Sequence, residues 1–161
     1  MSGITLVVDD PKWRSHRGLQ TRLKLAADAA RKSAKLRGDF TILLTGDKAL
    51  RALNRDFRGK DKPTNVLSFP ALQPTGAGGP DDAPRMLGDI AIAYETTRRE
   101  ADDEQKPFDH HLSHLAIHGF LHLIGYDHET DHDADAMEGL EQEILAQLGI
   151  PDPYADPERM D

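Results

Sequence analysis

The 161-residue chain contains no cysteine, which excludes a disulfide framework, a cysteine-bound zinc knuckle and a cysteine nucleophile together. Any metal must therefore be held by His, Asp or Glu. Long apolar runs are missing too: none approaches the roughly 18–20 residues of a spanning helix, so no membrane segment is expected. The first residues, MSGITLVVDDPKW, lack the basic segment, apolar segment and small-residue cleavage site of a secretory leader, and a cytoplasmic protein is expected. Aromatic residues make up only 6%, too few for an extended base-stacking surface. Positive charge is in short supply as well. Against 28 Asp and Glu stand 20 Lys and Arg, a net charge of −8 that at face value opposes a nucleic-acid partner. The average conceals a division: residues 1–62 carry 15 Lys and Arg against 7 acids, whereas residues 63–161 carry 5 against 21.

At this length one domain, residues 1–161, is expected. Ile4 to Val8 is a short β-prone run closed by Asp9, Asp10 and Pro11. From Arg17 to Leu36 apolar positions recur every three or four residues until Gly38, which predicts a helix. Phe40 to Thr45, Val66 to Phe69 and Asp89 to Ala93 read as further strands, and Asp47 is placed to cap a helix through about Arg55. Residues 71–87, rich in Gly and Pro, read as a loop. Glu95 to Gln105 suits an exposed helix and Asp109 to Ile124 a buried one; the last helix, from about Asp131, has Met137, Leu140, Ile144, Leu145 and Leu148 as its inner stripe. The expected class is α/β (α+β): a small mixed sheet of about four strands covered by helices.

The chemistry is concentrated in HHLSHLAIHGFLHLIGYDHETDH. His118 and His122, four residues apart on a helix, project from one face and suit a single ion. Gly125 lets the chain turn back, so that His128 can supply a third nitrogen. Three protein ligands leave one corner of a tetrahedron for water, the arrangement of catalytic zinc. Three neutral imidazoles also leave the ion its full charge, which lowers the pKa of a bound water to about 7. One Zn2+ per chain is the expected cofactor. The same residues partly match the zinc-protease pattern H-E-x-x-H-x-x-G-x-x-H, but Gly119 stands where the general-base glutamate belongs. The acidic run Glu129, Asp131, Asp133 and Asp135 is no calcium loop: Ala136 and Gln142 replace its glycine and bidentate glutamate. Acids complementing a helix dipole explain it better.

With its segment His118-Gly119-Phe120-Leu121-His122-Leu123-Ile124-Gly125-Tyr126-Asp127-His128, the chain resembles the YbeY-type endoribonucleases, whose signature is H-G-x-L-H-L-x-G-Y-D-H. Asn54, Phe57 and Arg58, then Thr64 to Pro70, match the family's N-x-x-F-R and T-[DN]-V-L-S-F-P segments, and Leu87-Gly88-Asp89-Ile90 matches a strand opening. Asn65 stands where many members carry Asp. The resemblance implies a zincin-like metal helix and a bacterial, metal-dependent, single-strand-specific endoribonuclease. It would act in rRNA maturation, at the 16S 3′ end, and in ribosome quality control, with the small ribosomal subunit and its assembly proteins as partners.

A phosphodiester under attack gathers negative charge that a fixed guanidinium can share. Spacing alone reads Arg58 as a solvated basic residue; the resemblance implies the catalytic role. Arg51, Arg55, Lys60 and Lys62 would form a positive rim for RNA or simply a solvated helix end. His114, one turn before His118 and facing the same way, is a candidate catalytic group, as a phosphate contact or as a support behind the metal ligands, with core packing as the other reading. Asp127 would orient a ligand imidazole or cap a turn. Ser68 is a candidate substrate contact on a strand edge or a sheet residue, and Asp89 would orient Arg58 or begin a strand. Two further functions fit the same residues: a zinc peptidase with a base from elsewhere in the fold, and a non-catalytic ribosome-assembly factor with a structural metal.

Overall fold

The computed structural model describes residues 4–35, 38–70, 86–126 and 130–153. Strand β1 (Ile4–Val8) leads through a 3-10 turn at Pro11–Ser15 to helix α1 (Leu19–Ser33), then β2 (Asp39–Thr45), α2 (Asp47–Arg58), β3 (Val66–Pro70) and β4 (Met86–Ala93). Helices α3 (Tyr94–Asp103), α4 (Phe108–Leu123) and α5 (Asp131–Gln147) complete the order. The sheet runs β1-β2-β4-β3; β1, β2 and β4 are parallel, and β3 lies antiparallel against β4 at the edge, with Ser68 opposite Ile90. This is the mixed four-stranded sheet the sequence predicts, with helices covering it.

Alternation along the strands divides the core. Phe40, Ile42, Leu44, Ile90 and Ile92 pack with Leu23, Ala26 and Ala30 of α1 and Leu112, Ala116 and Phe120 of α4, whereas Ala91, Ala93 and Leu67 face Leu50 of α2. Successive strand residues point to opposite faces, so Ser68, opposite Ile90, lies on the α4 side. α4 is therefore covered on most sides, as its apolar composition predicts.

Three boundaries differ from expectation by three residues. α1 stops at Ser33 and not at Leu36, with Lys35 just beyond it in a left-handed conformation (φ 56°). α2 continues three residues past Arg55 to Arg58, because Gly59 (φ 70°) is the stop: its N–H donates to the Arg55 carbonyl at 3.1 Å. Exposed Phe57 interrupts the apolar stripe and hides that last turn from periodicity. β4 begins at Met86, taking in two residues of the expected loop, and 71–85 lie outside the described residues.

Trp13 fills the end of the core, fully buried, with its indole N–H donating to the Thr45 carbonyl at 2.8 Å. Beside it His16 stacks on Phe108 and shares a 2.7 Å hydrogen bond with the Tyr94 hydroxyl. Burial pushes the His16 pKa below the ordinary 6.5, and the Arg98 charge adds to the shift. The folded protein thus keeps His16 neutral where the unfolded chain takes up a proton. Below about pH 6.5 the unfolded state binds more protons, so this site's effect is a stability that falls with pH until the folded histidine also titrates. Urea midpoints at about pH 7.5 and 5.5 should therefore fall less in His16→Gln than in the parent protein; equal falls would remove His16 as a cause.

Candidate metal centre

One face of α4 presents His111, His114, His118 and His122 at steps of three and four. The His118 and His122 Nε2 atoms stand 3.1 Å apart, with the rings at 78°. Two ligands of a tetrahedral zinc, each at about 2.0–2.1 Å, stand ~3.3 Å apart. The pair therefore has the separation of two imidazoles converging on one ion.

Behind this pair lies Glu141 of α5, fully buried. Its Oε1 is 2.8 Å from His118 Nδ1 and its Oε2 2.5 Å from His114 Nε2. A carboxylate taken entirely out of water needs such partners. When His118 Nδ1–H donates to Glu141, the His118 tautomer is set and Nε2 is left with its lone pair towards His122. His114, His118 and Glu141 also form a possible metal site in their own right, since one ligand atom from each lies within 4.8 Å of the others. The donor set is nitrogen and carboxylate oxygen throughout, which suits zinc and other first-row divalent ions.

α5 can deliver Glu141 because Thr130 caps it, accepting from the Asp133 N–H at 3.1 Å, with Asp131 and Asp133 in the first turn against the dipole. α4 ends at Leu123, and just beyond it Gly125 has a positive φ (111°) and the Tyr126 N–H donates to the Leu121 carbonyl. His128 and Asp127 lie outside the described residues.

The position after His118 is tight for a side chain. A Cβ on Gly119 would meet Ile90 Cγ2 at 3.0 Å, Val66 Cγ2 at 3.1 Å and Ser68 Oγ at 3.3 Å, so β3 and β4 crowd the place from which a zinc-protease glutamate would extend. The Ser68 hydroxyl, buried, donates to the Gly119 carbonyl at 2.7 Å, and the Arg58 Nη2 donates to the Ser68 carbonyl at 3.4 Å. Arg58 ends α2 at the exposed rim of this edge strand. Of its neighbours, Arg51 pairs with Asp61 at 2.8 Å and Arg55 with Asp56 at 3.1 Å, which weakens the expected positive rim. Lys60 and Lys62 are exposed, and the Lys62 carbonyl accepts from the Asn54 amide. Asp89 is exposed on β4 in register with Phe69.

A cavity of about 300 Å³ runs along α4, lined by Asn65, Glu100, His111, His114 and His118 among others. Its wall is a network in which the Asn65 amide donates to Glu100 at 3.0 Å and His111 Nε2 meets the same carboxylate oxygen at 2.9 Å. Burial raises the Glu100 pKa, but the hydrogen bonds from His111 and Asn65 outweigh it and leave the group below its ordinary value. An Asp at position 65 would set two carboxylates together, so Asn65 suits this neighbour.

A model of the family described as "Endoribonuclease YbeY" matches residues 9–149. The chain belongs to the YbeY endoribonuclease family. A YbeY endoribonuclease of Nitrobacter winogradskyi is 67% identical over 158 residues, covering 96% of this chain and 83% of the relative. One from a Bradyrhizobium species is 74% identical over 123 residues, covering 76% and 73%. A solution structure of a Thermotoga maritima protein aligns over 97% of this chain and 99% of its own with a TM-score of 0.52 at 23% identity, a likeness of fold. The chain is thus an endoribonuclease, a hydrolase of RNA phosphodiester bonds, with RNA as its substrate. Among the described residues no helix is long and apolar enough to cross a membrane.

Proposed function

We propose that the chain is a single-domain, single-strand-specific endoribonuclease of rRNA maturation, acting at the 16S 3′ end and in ribosome quality control. One zinc is held by His118, His122 and His128. The observation that carries the metal assignment is the 3.1 Å convergence of the His118 and His122 Nε2 atoms, with Glu141 on the far side of His118. When bound, the ion supplies a Lewis acid and a water acidic enough to react near neutral pH. Glu141 holds the His118 ring by its Nδ1–H, and His114 braces the same carboxylate from one turn away. Arg58 neutralises charge gathering on the scissile phosphate, Asp127 is assigned to a ligand imidazole, and Arg55, Lys60 and Lys62 attract the backbone. The cellular setting is the cytoplasm, with the small ribosomal subunit and its assembly proteins as partners.

The ends of the product test the chemistry. Single-stranded RNA cut by metal-loaded protein should carry a 5′-phosphate and a free 3′-hydroxyl. A 2′,3′-cyclic phosphate would replace direct attack by water with attack by the ribose hydroxyl. Cleavage of a casein-like substrate instead of RNA would sink the proposal.

A further inference from the structure

Ser68 touches both halves of the site at once. Its main-chain carbonyl accepts from the Arg58 guanidinium at 3.4 Å, and its hydroxyl donates to the carbonyl of Gly119, the residue between the His118 side chain and the next turn of α4. Ser68 is 7% exposed, so the hydroxyl faces the helix and not solvent. Gly119 allows the close approach: a Cβ there would meet Ile90, Val66 and Ser68 at 3.0–3.3 Å, so these side chains would have to shift by a few tenths of an ångström to admit it. Among the described residues β3 is also the sheet's edge strand, paired with β4 alone. The Ser68 hydroxyl adds a directional tether to α4 beyond the apolar packing of Val66 and Leu67 that also holds this strand. Phe57 and Phe69 meet edge to face at 5.5 Å beside it and tie the end of α2 to the same strand.

We propose that Ser68 is a positioning residue: by bridging Arg58 and Gly119 it fixes the separation between the guanidinium and the histidines of α4. This rests on the catalytic role proposed for Arg58. Ser68 does not contact RNA; it acts through Arg58. A displacement of about 1 Å at a reacting group can cost ~100-fold in rate, and loss of one tether from a strand still paired to β4 should cost less.

A double-mutant cycle on the metal-loaded protein tests this. Ser68→Ala should lower kcat on single-stranded RNA about tenfold, with KM, metal content and melting temperature close to the parent's. In an Arg58→Ala background the same change should have almost no effect, because the group it positions is gone. Gly119→Ala, which crowds the Ser68 hydroxyl at 3.3 Å without removing a polar group, should also lower kcat while metal is retained. Equal losses from Ser68→Ala in both backgrounds would overturn the positioning role while leaving Arg58 catalytic, as would a rise in KM alone. Parent-level activity in Arg58→Ala would overturn the reading of Arg58 itself, and the Ser68 proposal with it.

Discussion

Replacing His118 with alanine is expected to strip the protein of metal and lower RNA cleavage by about 10³-fold or more, since a bound ion supplies several kcal/mol of charge stabilisation. His118 is singled out because both ring nitrogens are engaged, Nε2 with His122 and Nδ1 with Glu141. Metal per chain after dialysis and the rate on a labelled single strand are the two readouts. Undiminished cleavage by metal-free His118→Ala protein would sink the metal-dependent mechanism. Companion substitutions tell apart the two ligand sets that share this residue. If the ion sits at the Nε2 pair, His122→Ala loses it as fully as His118→Ala. Glu141→Gln, which leaves the ring less firmly held, then weakens binding only about 10–100-fold. If the ion sits among His114, His118 and Glu141, the order reverses: Glu141→Gln empties the site and His122→Ala spares it.

Glu141 marks the limit of what local pattern reveals. His118 and His122 are legible because a helix puts residues four apart on one face whatever surrounds it, and Gly125 announces the turn after them. Glu141 is 23 residues further on, in a helix read for its apolar stripe. The signal was there: Met137, Ile144 and Leu148 lie on the same side of α5, and an acid among them is a buried charge in need of a partner. What spacing could not supply is the partner, because the packing of α5 on α4 is a tertiary fact. The fold divides in the same way. Strands and helices follow from periodicity, but the place of β3 beyond β4, antiparallel and at the edge, depends on pairings between distant segments. With it goes the crowding at Gly119. The sequence has no glutamate there, and the structure adds that even a Cβ would be tight against Ile90, Val66 and Ser68. The charge division was legible and its meaning only partly so, since Asp56 and Asp61 within the basic half pair with Arg55 and Arg51. That leaves Arg58, bound to a neutral carbonyl, as the arginine of this group whose charge no carboxylate neutralises among the described residues, beside exposed Lys60 and Lys62.

Arg58→Ala is expected to retain metal and fold while losing about 10²–10³-fold in kcat, the scale on which one preorganised charge-stabilising donor acts. Its fold cost should be small, because its hydrogen bond to the Ser68 carbonyl is long, at 3.4 Å, and the side chain is exposed at the end of α2. Arg58→Lys separates charge from shape. A lysine keeps the positive charge but has no planar fork to hold the strand carbonyl and a phosphate oxygen together, so it should restore RNA binding more fully than turnover. The salt dependence of binding supplies the control: losing one phosphate contact should reduce the slope of log affinity against log salt by about one for Arg58→Ala and leave it near the parent's for Arg58→Lys. A parent-like kcat with only weakened binding would make Arg58 one more member of the basic rim. A kcat loss shared equally by alanine and lysine, with the salt slope kept in the lysine protein, would show that the directed guanidinium, and not charge alone, meets the reacting phosphate.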